Sequence, residues 1–284
     1  MGKGRLLFVP SGGLANRMRA IASAYTLTQQ TDSELQIVWF CNQELNAPFH
    51  SIFNTGTLPV REATWTDKIC YDRARRKNFY LPALPQRLLF ARRIGELEVT
   101  PLKEQGFNFE QWLRGHHCYM NCYQVFGSFP DSLYQELFQP VKEIIDIVER
   151  NKESFSPHTI GLHIRRTDHT EAARRSPINL FIKSIKQEIE AHDDVRFFLA
   201  TDSNEVKQQL SNLFGQRIIT PAEEAKRDSI DGIRGGLADM WTLAATQRIY
   251  GSALSSFSPM AASIGGIPLT VIDTDTPANI VNHF

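Results

Sequence analysis

Two adjacent arginines, Arg165 and Arg166, follow the apolar run 158–164 in the stretch HTIGLHIRRTDHTEAA. The run predicts a buried strand, so both guanidinium groups stand at its carboxyl end. A guanidinium fork matches two oxygens of one phosphate group, and two neighbouring forks suit a diphosphate. The pair therefore indicates a site for a phosphorylated ligand. The alternative is a pair of exposed loop charges that form ion pairs with Asp168 and Glu171.

Polar side chains also lie at or beyond the ends of several other predicted strands. Because the carboxyl ends of parallel strands meet at one edge of a sheet, we expect these side chains to share a crevice with the two arginines. Serines at the start of a helix from Phe257 would add hydroxyl and backbone N–H donors for an anion. The further members of this set are His163, Asp202, Ser255, Ser256 and Ser258.

Two members of the set have simpler interpretations. His163 alternates with Leu162 and Ile164, so it faces the opposite side of the strand, and by itself it is typical of a hydrogen-bonded core histidine. Asp202 follows one strand and precedes a helix, where an aspartate is equally typical of a turn or a helix cap.

The elements that position these residues alternate regularly in the second half of the chain. Alternating strands and helices predict a parallel sheet covered on both faces. The predicted strands are 158–164, 195–201, 217–220, 248–252 and 268–273, and the predicted helices are 179–192, 203–214, 235–247 and 257–266.

The first half opens as strand 5–10, a helix and strand 34–40, which is the start of a second βαβ arrangement. The loop PSGGLANR between strand and helix allows close backbone approach to an anion, although a plain helix start explains it equally well. Residues 42–115 are expected to be irregular, and their basic segment 72–79 indicates a solvated surface rather than a rim for an anionic acceptor. We therefore expect two Rossmann-like domains, 1–138 and 139–284.

Composition limits the class of protein. The chain has 284 residues, of which 42% are hydrophobic and 22% charged, and its formal net charge is zero. This overall charge does not favour binding to nucleic acid or to an anionic membrane, so any cationic site must be local. The N-terminal apolar run is too short for a signal peptide and no run could span a bilayer, which predicts a soluble, cytoplasmic protein. The four cysteines, including Cys118 and Cys122, are expected to be inert thiols.

Four motifs together resemble the fucosyltransferase superfamily. GGLANRMRAIASA is similar to its N-terminal glycine–asparagine motif, and HIRRTD followed by TEAA resembles the arginine motif of α-1,6-fucosyltransferases. FFLATDS and LADMWTLAATQRIYGSALSSFSPMAA resemble the later motifs, which end in a serine-rich turn. The chain thus resembles a compact, bacterial or otherwise minimal member of the group that includes nodulation and O-fucosyltransferases.

The resemblance implies a GT-B-like enzyme, in which two Rossmann-like domains with parallel sheets face each other across a cleft. The N-terminal domain would be the acceptor side and the C-terminal domain would bind GDP-fucose. It implies transfer of fucose with inversion to a glycan or another acceptor, with no metal and no cofactor beyond the donor. The zero net charge and the lack of a long apolar run predict no nucleic-acid partner and no integral membrane segment. The residues implied to bind the donor are Gly13, Asn16, His163, Arg165, Arg166, Asp168, Asp202, Asp239, Ser256, Phe257 and Ser258.

Catalysis would need a base for the acceptor hydroxyl, and the motif implies Glu171. Arg165 would stabilise the negative charge on the departing GDP. The chain is two residues shorter than the α-1,6 pattern between Asp168 and Thr170, and His169 stands where that pattern has lysine, so His169 or Asp168 could share the role of the base. Two other interpretations stay open: a nucleotide- or glycan-binding module without turnover, and a transferase that uses another GDP-sugar.

Overall fold

A computed structural model describes residues 2–54, 56, 58–166, 170–221, 229–275 and 280–281 of the chain. The chain divides into two compact units, Met1–Gln139 and Pro140–Phe284. Each unit contains one sheet with its own helices. The roles assigned to the two halves, acceptor side and donor side, stay predictions.

The first unit is built on five strands. Strand β1 lies at the centre of the sheet order β3-β2-β1-β5-β4, and its neighbours β2 and β5 run parallel to it. In chain order the elements are β1 (Arg5–Pro10), α1 (Leu14–Gln30), β2 (Glu34–Trp39), β3 (Val60–Glu62), α2 (Trp65–Cys70), α3 (Ala83–Leu89), β4 (Arg92–Ile94), α4 (Val99–Glu104), α5 (Phe109–Leu113), β5 (His117–Cys122) and α6 (Ser132–Leu137).

The expectation that residues 42–115 are irregular was only partly correct. This region supplies the outer strands β3 and β4 and four short helices. Each of these strands has three residues, which is too short for an alternating pattern to predict a strand. The chain leaves β1 toward β2 on one side and later returns to β5 on the other. The carboxyl ends of β1 and β5 therefore form a topological switch point.

The second unit is built on six strands. In chain order its elements are α7 (Lys142–Lys152), β6 (Thr159–Ile164), α8 (Thr170–Arg175), α9 (Ile178–Ala191), β7 (Arg196–Thr201), α10 (Asn204–Phe214), β8 (Ile218–Ile219), α11 (Ile230–Ala244), β9 (Ile249–Ser252), α12 (Phe257–Gly265), β10 (Leu269–Ile272) and β11 (Ile280–Val281).

The second sheet has the order β11-β10-β9-β6-β7-β8, with β6 near its centre. The strands β6 to β10 pair in parallel, whereas the two-residue edge strand β11 is antiparallel to β10. The chain leaves β6 toward β7 and β8, and later crosses to β9 and β10 on the other side. The switch point of this sheet therefore lies between the carboxyl ends of β6 and β9.

Strand β6 is buried along its whole length because both sheet neighbours and both faces cover it. Leu162 and Ile164 lie in an apolar core with Phe181 and Ile185 of helix α9. Helix α11 begins at Ile230 rather than at residue 235 as predicted, because the Ser229 side chain accepts a hydrogen bond from the backbone N–H of Gly232 and caps the helix.

The predicted fold class, an α/β protein with a parallel sheet in each half, is confirmed. The differences include the short outer strands, the position of one helix start, and the elements α6, α8 and β11, which were not predicted. Within the described part of the chain, each helix is too short or too polar to cross a bilayer.

Close packing of α12 against α11 gives a stability prediction. A Cβ atom at Gly265 would lie 2.2 Å from the backbone oxygen of Ala244, whereas one at Gly235 on α11 would meet nothing within 4 Å. We expect Gly265→Ala to lower the free energy of unfolding by about 1–3 kcal/mol through overpacking. Gly235→Ala should leave it unchanged or raise it by up to about 1 kcal/mol. Urea denaturation of both variants checks this, and equal midpoints for the two would contradict the packing.

Candidate functional site

The loop after β6 is fixed by side chains from both neighbouring strands. The backbone N–H of Arg165 donates to the Ser252 hydroxyl of β9 over 3.1 Å. The next N–H, of Arg166, donates to Oδ1 of Asp202 beyond β7 over 2.8 Å. Each amide thus finds an acceptor on a different side of β6. The predicted phosphate-binding pair therefore stands at the switch point in a defined backbone conformation.

The side chains of the two arginines differ in their surroundings. The Arg166 guanidinium donates to two backbone oxygens, that of Arg165 over 3.1 Å and that of Ser176 over 2.9 Å. Burial lowers its pKa, and the nearby Asp202 carboxylate offsets part of this effect. The Arg166 side chain therefore stabilises the loop after β6, to which it belongs. Arg165 is half-buried beside it.

Ser176 connects this loop to the other side of the sheet. Its side chain is fully buried, donates to the Ile272 oxygen at the end of β10 over 2.6 Å, and accepts from the Ala253 N–H over 2.8 Å. Sequence reasoning missed both Ser176 and Ser252. The position of Ser252 at the end of a predicted strand was a signal that could have found it, whereas Ser176 lies in no motif.

His163, Phe257 and Ser258 come together as expected for residues of one crevice. His163 is buried, with its Nδ1 3.0 Å from the Ser258 hydroxyl and its ring stacked on Phe257 at a centroid distance of 4.8 Å. Gly251 of β9 is the register partner of His163, and a Cβ atom there would lie 2.4 Å from Ser258 Oγ. The glycine therefore makes room for the histidine–serine hydrogen bond.

The loop between β9 and α12 is strained and rich in hydroxyl groups. Leu254 has a φ of 58°, a left-handed conformation that non-glycine residues rarely adopt. The Ser255 hydroxyl accepts from the Phe257 N–H over 3.3 Å, and Ser256 precedes the first helical residue. Helix α12 has nine residues and starts after the four-residue loop that follows β9, so the N–H groups of its first turn lie at the carboxyl end of the sheet.

Asp239 is a buried carboxyl group on α11. Burial raises its pKa to about 7, and the positive charge of Lys207 lowers it only in part. A carboxyl group in this environment changes its protonation state near neutral pH.

The implied base, Glu171, lies in the first turn of α8 and is half exposed. It accepts hydrogen bonds from Nε of Arg174 over 3.0 Å and from a terminal nitrogen of the same guanidinium over 2.7 Å. Asp168 and His169 lie outside the described residues.

The glycine loop of the first unit is closed by carboxylates of the protein itself. Gly12 has a φ of 80°, a conformation that favours glycine, and its N–H donates to Glu44 over 3.0 Å. Ser11 donates to Glu96 over 2.9 Å, and Arg73 bridges the two glutamates at 2.5 and 2.9 Å. Burial alone would raise the pKa of Glu44, but hydrogen bonds from Arg73 and Gly12 hold it below its usual value.

Arg17 holds the same loop from the inside. It is fully buried, donates to the backbone oxygens of Gly12 and Phe40 over 2.9 and 2.8 Å, and lies 4.6 Å from the Trp39 ring. Burial lowers its pKa to about 10, so it stays charged at neutral pH. Sequence reasoning missed the carboxylate–arginine cluster because its members are spread over the region 42–115.

Gly13 and Asn16 start helix α1. Gly13 occupies the cap position, and the Asn16 side-chain oxygen accepts from Arg19 over 2.6 Å. Their expected contact with a donor stays a prediction. No group of three or more histidine, cysteine, aspartate or glutamate side chains suited to a metal occurs among the residues that the structure describes.

Solved fucosyltransferase structures share this fold. The chain matches NodZ α-1,6-fucosyltransferase soaked with GDP-fucose at a TM-score of 0.70 and 19% identity, covering all of both chains; a matching NodZ structure comes from Bradyrhizobium. Arabidopsis thaliana FUT1 in complex with GDP gives 0.60 and 14%, over 95% of this chain and 70% of the other. POFUT1 in complex with GDP-fucose gives 0.53 and 11%, over 95% and 98%.

No protein-family model and no curated protein matches the chain. The structural likeness shows that the chain has the fold of these fucosyltransferase structures, as the resemblance implied. The expected bacterial source stays a prediction.

The buried carboxyl group predicts a pH dependence of stability. The pKa of Asp239 is about 7 when folded and about 3.9 in an unfolded chain, so between these values the folded state holds the extra proton. This contribution to the free energy of unfolding is therefore complete below about pH 4 and is lost as the pH rises to about 7. The Asp239→Asn variant has no carboxyl group at this position and therefore does not lose this stability as the pH rises. The difference in free energy of unfolding, variant minus wild type, should increase by at least about 1 kcal/mol from pH 4.5 to 8.

Urea midpoints measured across this pH range check the expectation. Asp231→Asn, an exposed aspartate in the first turn of the same helix, is the matched control and should follow the wild-type profile. Parallel profiles for Asp239→Asn and wild type would contradict the buried protonated carboxyl group.

Proposed function

We propose that the chain transfers fucose from GDP-fucose to a hydroxyl of a glycan or another acceptor, with inversion at the anomeric carbon and without a metal ion. The arginine-bearing loop at the switch point of the second sheet carries this proposal. Fold relatives with GDP or GDP-fucose bound support the choice of nucleotide. The motif resemblance supports fucose as the sugar.

The diphosphate would bind beyond the carboxyl ends of β6 and β9. Arg165 would supply the guanidinium that contacts phosphate oxygens, because its backbone is anchored to Ser252. Arg166 would position it, since the Arg166 guanidinium already donates to the backbone oxygens of Arg165 and Ser176. The N–H groups at the start of α12 would add donors for the same negative charge. His163, Phe257 and Ser258 would line the adjoining part of the donor site.

During the reaction, negative charge develops next to Arg165 and the N-terminus of α12. The acceptor oxygen attacks the anomeric carbon of fucose, and the bond from that carbon to the phosphate oxygen breaks. GDP departs with the electron pair, so negative charge grows on its phosphate beside Arg165. The acceptor proton passes to a base. Attack on the face opposite the leaving group inverts the configuration.

Glu171 is the proposed base, and its pairing with Arg174 bears on that role. An exposed pair three residues apart on a helix is weak, so acceptor binding can replace it at little cost. The same pairing favours the second candidate, a nucleotide-binding module without turnover, because the carboxylate is already engaged. Turnover of the donor distinguishes the two candidates.

A panel of nucleotide sugars tests the proposal. A ligand that binds only the folded state raises the melting temperature, so GDP and GDP-fucose should raise it and UDP-sugars should not. Incubation of GDP-fucose with candidate acceptors, with and without EDTA, should release GDP equally in both. Stabilisation without release of GDP supports the binding module, and stabilisation by UDP-sugars alone overturns the donor class.

Removal of the proposed phosphate contact should weaken nucleotide binding. We expect Arg165→Ala to raise the Kd for GDP at least about tenfold, because a charge-assisted hydrogen bond is worth about 1.5–3 kcal/mol. Arg248→Ala is the matched control, since Arg248 directly precedes β9 and lies at the opposite, amino end of the strands. Calorimetry with GDP measures both, and an unchanged affinity in Arg165→Ala would remove the phosphate role.

Neutralisation of the proposed base should affect turnover alone. We expect Glu171→Gln to lower kcat about 100-fold or more while the Kd for GDP stays the same. Glu205→Gln, an exposed glutamate in the first turn of α10, should change neither quantity. A Glu171→Gln variant with full kcat would assign the base to another residue.

A further inference from the structure

The segment between α2 and β4 exposes an unusual number of large apolar side chains. Phe79 is 84% exposed, Leu88 79% and Leu84 66%. Tyr80, Leu81 and Leu89 are also exposed, which makes six such residues within eleven positions. Single exposed leucines are ordinary on protein surfaces, whereas a run of this kind indicates an interaction site.

Helix α3 turns its apolar face outward. Leu84 and Leu88 are four residues apart and so lie on one face of the helix. Gln86 is buried instead, and its side-chain amide donates to the backbone oxygen of Asp72 over 2.9 Å. A helix that buried its leucines against its own unit would show the reverse pattern. The exposed face is therefore built into the packing of this helix.

The aromatic turn before α3 is also held in place. Phe79 and Tyr80 have φ values of 51° and 55°, a left-handed conformation that aromatic residues rarely adopt. The Asn78 side chain fixes this turn, since it accepts from the Arg75 N–H over 2.9 Å and donates to the Arg73 oxygen over 2.8 Å. The two rings are thus presented to solvent by an ordered backbone.

The same segment is strongly basic. Residues 73–93 contain seven lysines and arginines and no aspartate or glutamate, in a chain whose net charge is zero. Arg73 is engaged with Glu44 and Glu96. The exposed cations are Arg76, Lys77, Arg87 and Arg93. We call these four cations and the six exposed apolar residues the 76–93 surface.

Apolar side chains flanked by cations fit an anionic lipid bilayer. The apolar groups enter the boundary of the acyl chains, and lysine and arginine contact the negative headgroups.

A second copy of this chain fits the 76–93 surface poorly, because a two-fold interface would place the cations of one copy against those of the other. A nucleic acid would contact the cations but leave the leucines in water. The basic segment was expected to be a solvated surface. That expectation did not include its exposed leucines.

We propose that the 76–93 surface is a peripheral membrane-contact site that binds anionic phospholipid bilayers. It does not depend on the proposed transferase activity.

Vesicle co-sedimentation of the full chain tests the proposal. Vesicles of phosphatidylcholine with about one-third phosphatidylserine should bind the protein at least about tenfold more tightly than phosphatidylcholine alone. Added salt should weaken this binding, because it screens the cations. The absence of binding to anionic vesicles, or equal binding to both kinds, overturns the proposal.

Matched double variants locate the contact. Leu84→Ser with Leu88→Ser should lower vesicle affinity at least about tenfold, whereas Ile145→Ser with Leu213→Ser, exposed residues of the second unit, should not. Arg76→Glu with Lys77→Glu should abolish anionic binding, whereas Lys183→Glu with Lys186→Glu on α9 makes the same change in net charge and should retain it.

Light scattering gives a second readout on the same proteins. A monomer that binds vesicles supports the membrane site. A dimer that dissociates in the leucine variant and binds no vesicles shows a self-interface and overturns the proposal. Equal vesicle affinity in each variant and its control overturns it as well.

Discussion

The end of strand β6 imposes the constraint on which the candidate site depends. A buried backbone N–H without an acceptor costs about 1–3 kcal/mol, so the chain leaving a central strand needs partners at once. Here the next two amides are divided between the neighbouring strands, one to the Ser252 hydroxyl and one to the Asp202 carboxylate. The Arg166 guanidinium and Ser176 extend these links toward β10. A loop held from both sides presents its arginine in one position, which a ligand-binding group requires.

The loop after β1 is also held by side-chain acceptors, which here are the carboxylates of two glutamates. Its Gly12 amide donates to Glu44, and Arg73 pairs with both Glu44 and Glu96. Two carboxylates at one loop disfavour a phosphate, whereas the loop after β6 carries two arginines beside the single Asp202 carboxylate. This difference supports donor binding at the second sheet.

The sequence predicted the second unit well because its strands and helices are long and regularly spaced. The register that brings His163 beside Gly251, and thereby makes room for Ser258, could not be predicted, because it depends on which strands become neighbours. Ser176 was not predictable either, since its role comes from contacts with residues about 77 to 96 positions away. In the first unit, the three-residue strands are too short to show a pattern in the sequence. The cluster of Glu44, Arg73 and Glu96 could not be predicted either, because its members are far apart in the chain.

A crystal structure of the GDP complex would show whether the loop after β6 binds the diphosphate. We expect the diphosphate beyond the carboxyl ends of β6 and β9, with phosphate oxygens about 2.7–3.2 Å from the Arg165 guanidinium and close to the first residues of α12. GDP bound with its phosphates remote from Arg165 would contradict the phosphate-binding role of this loop.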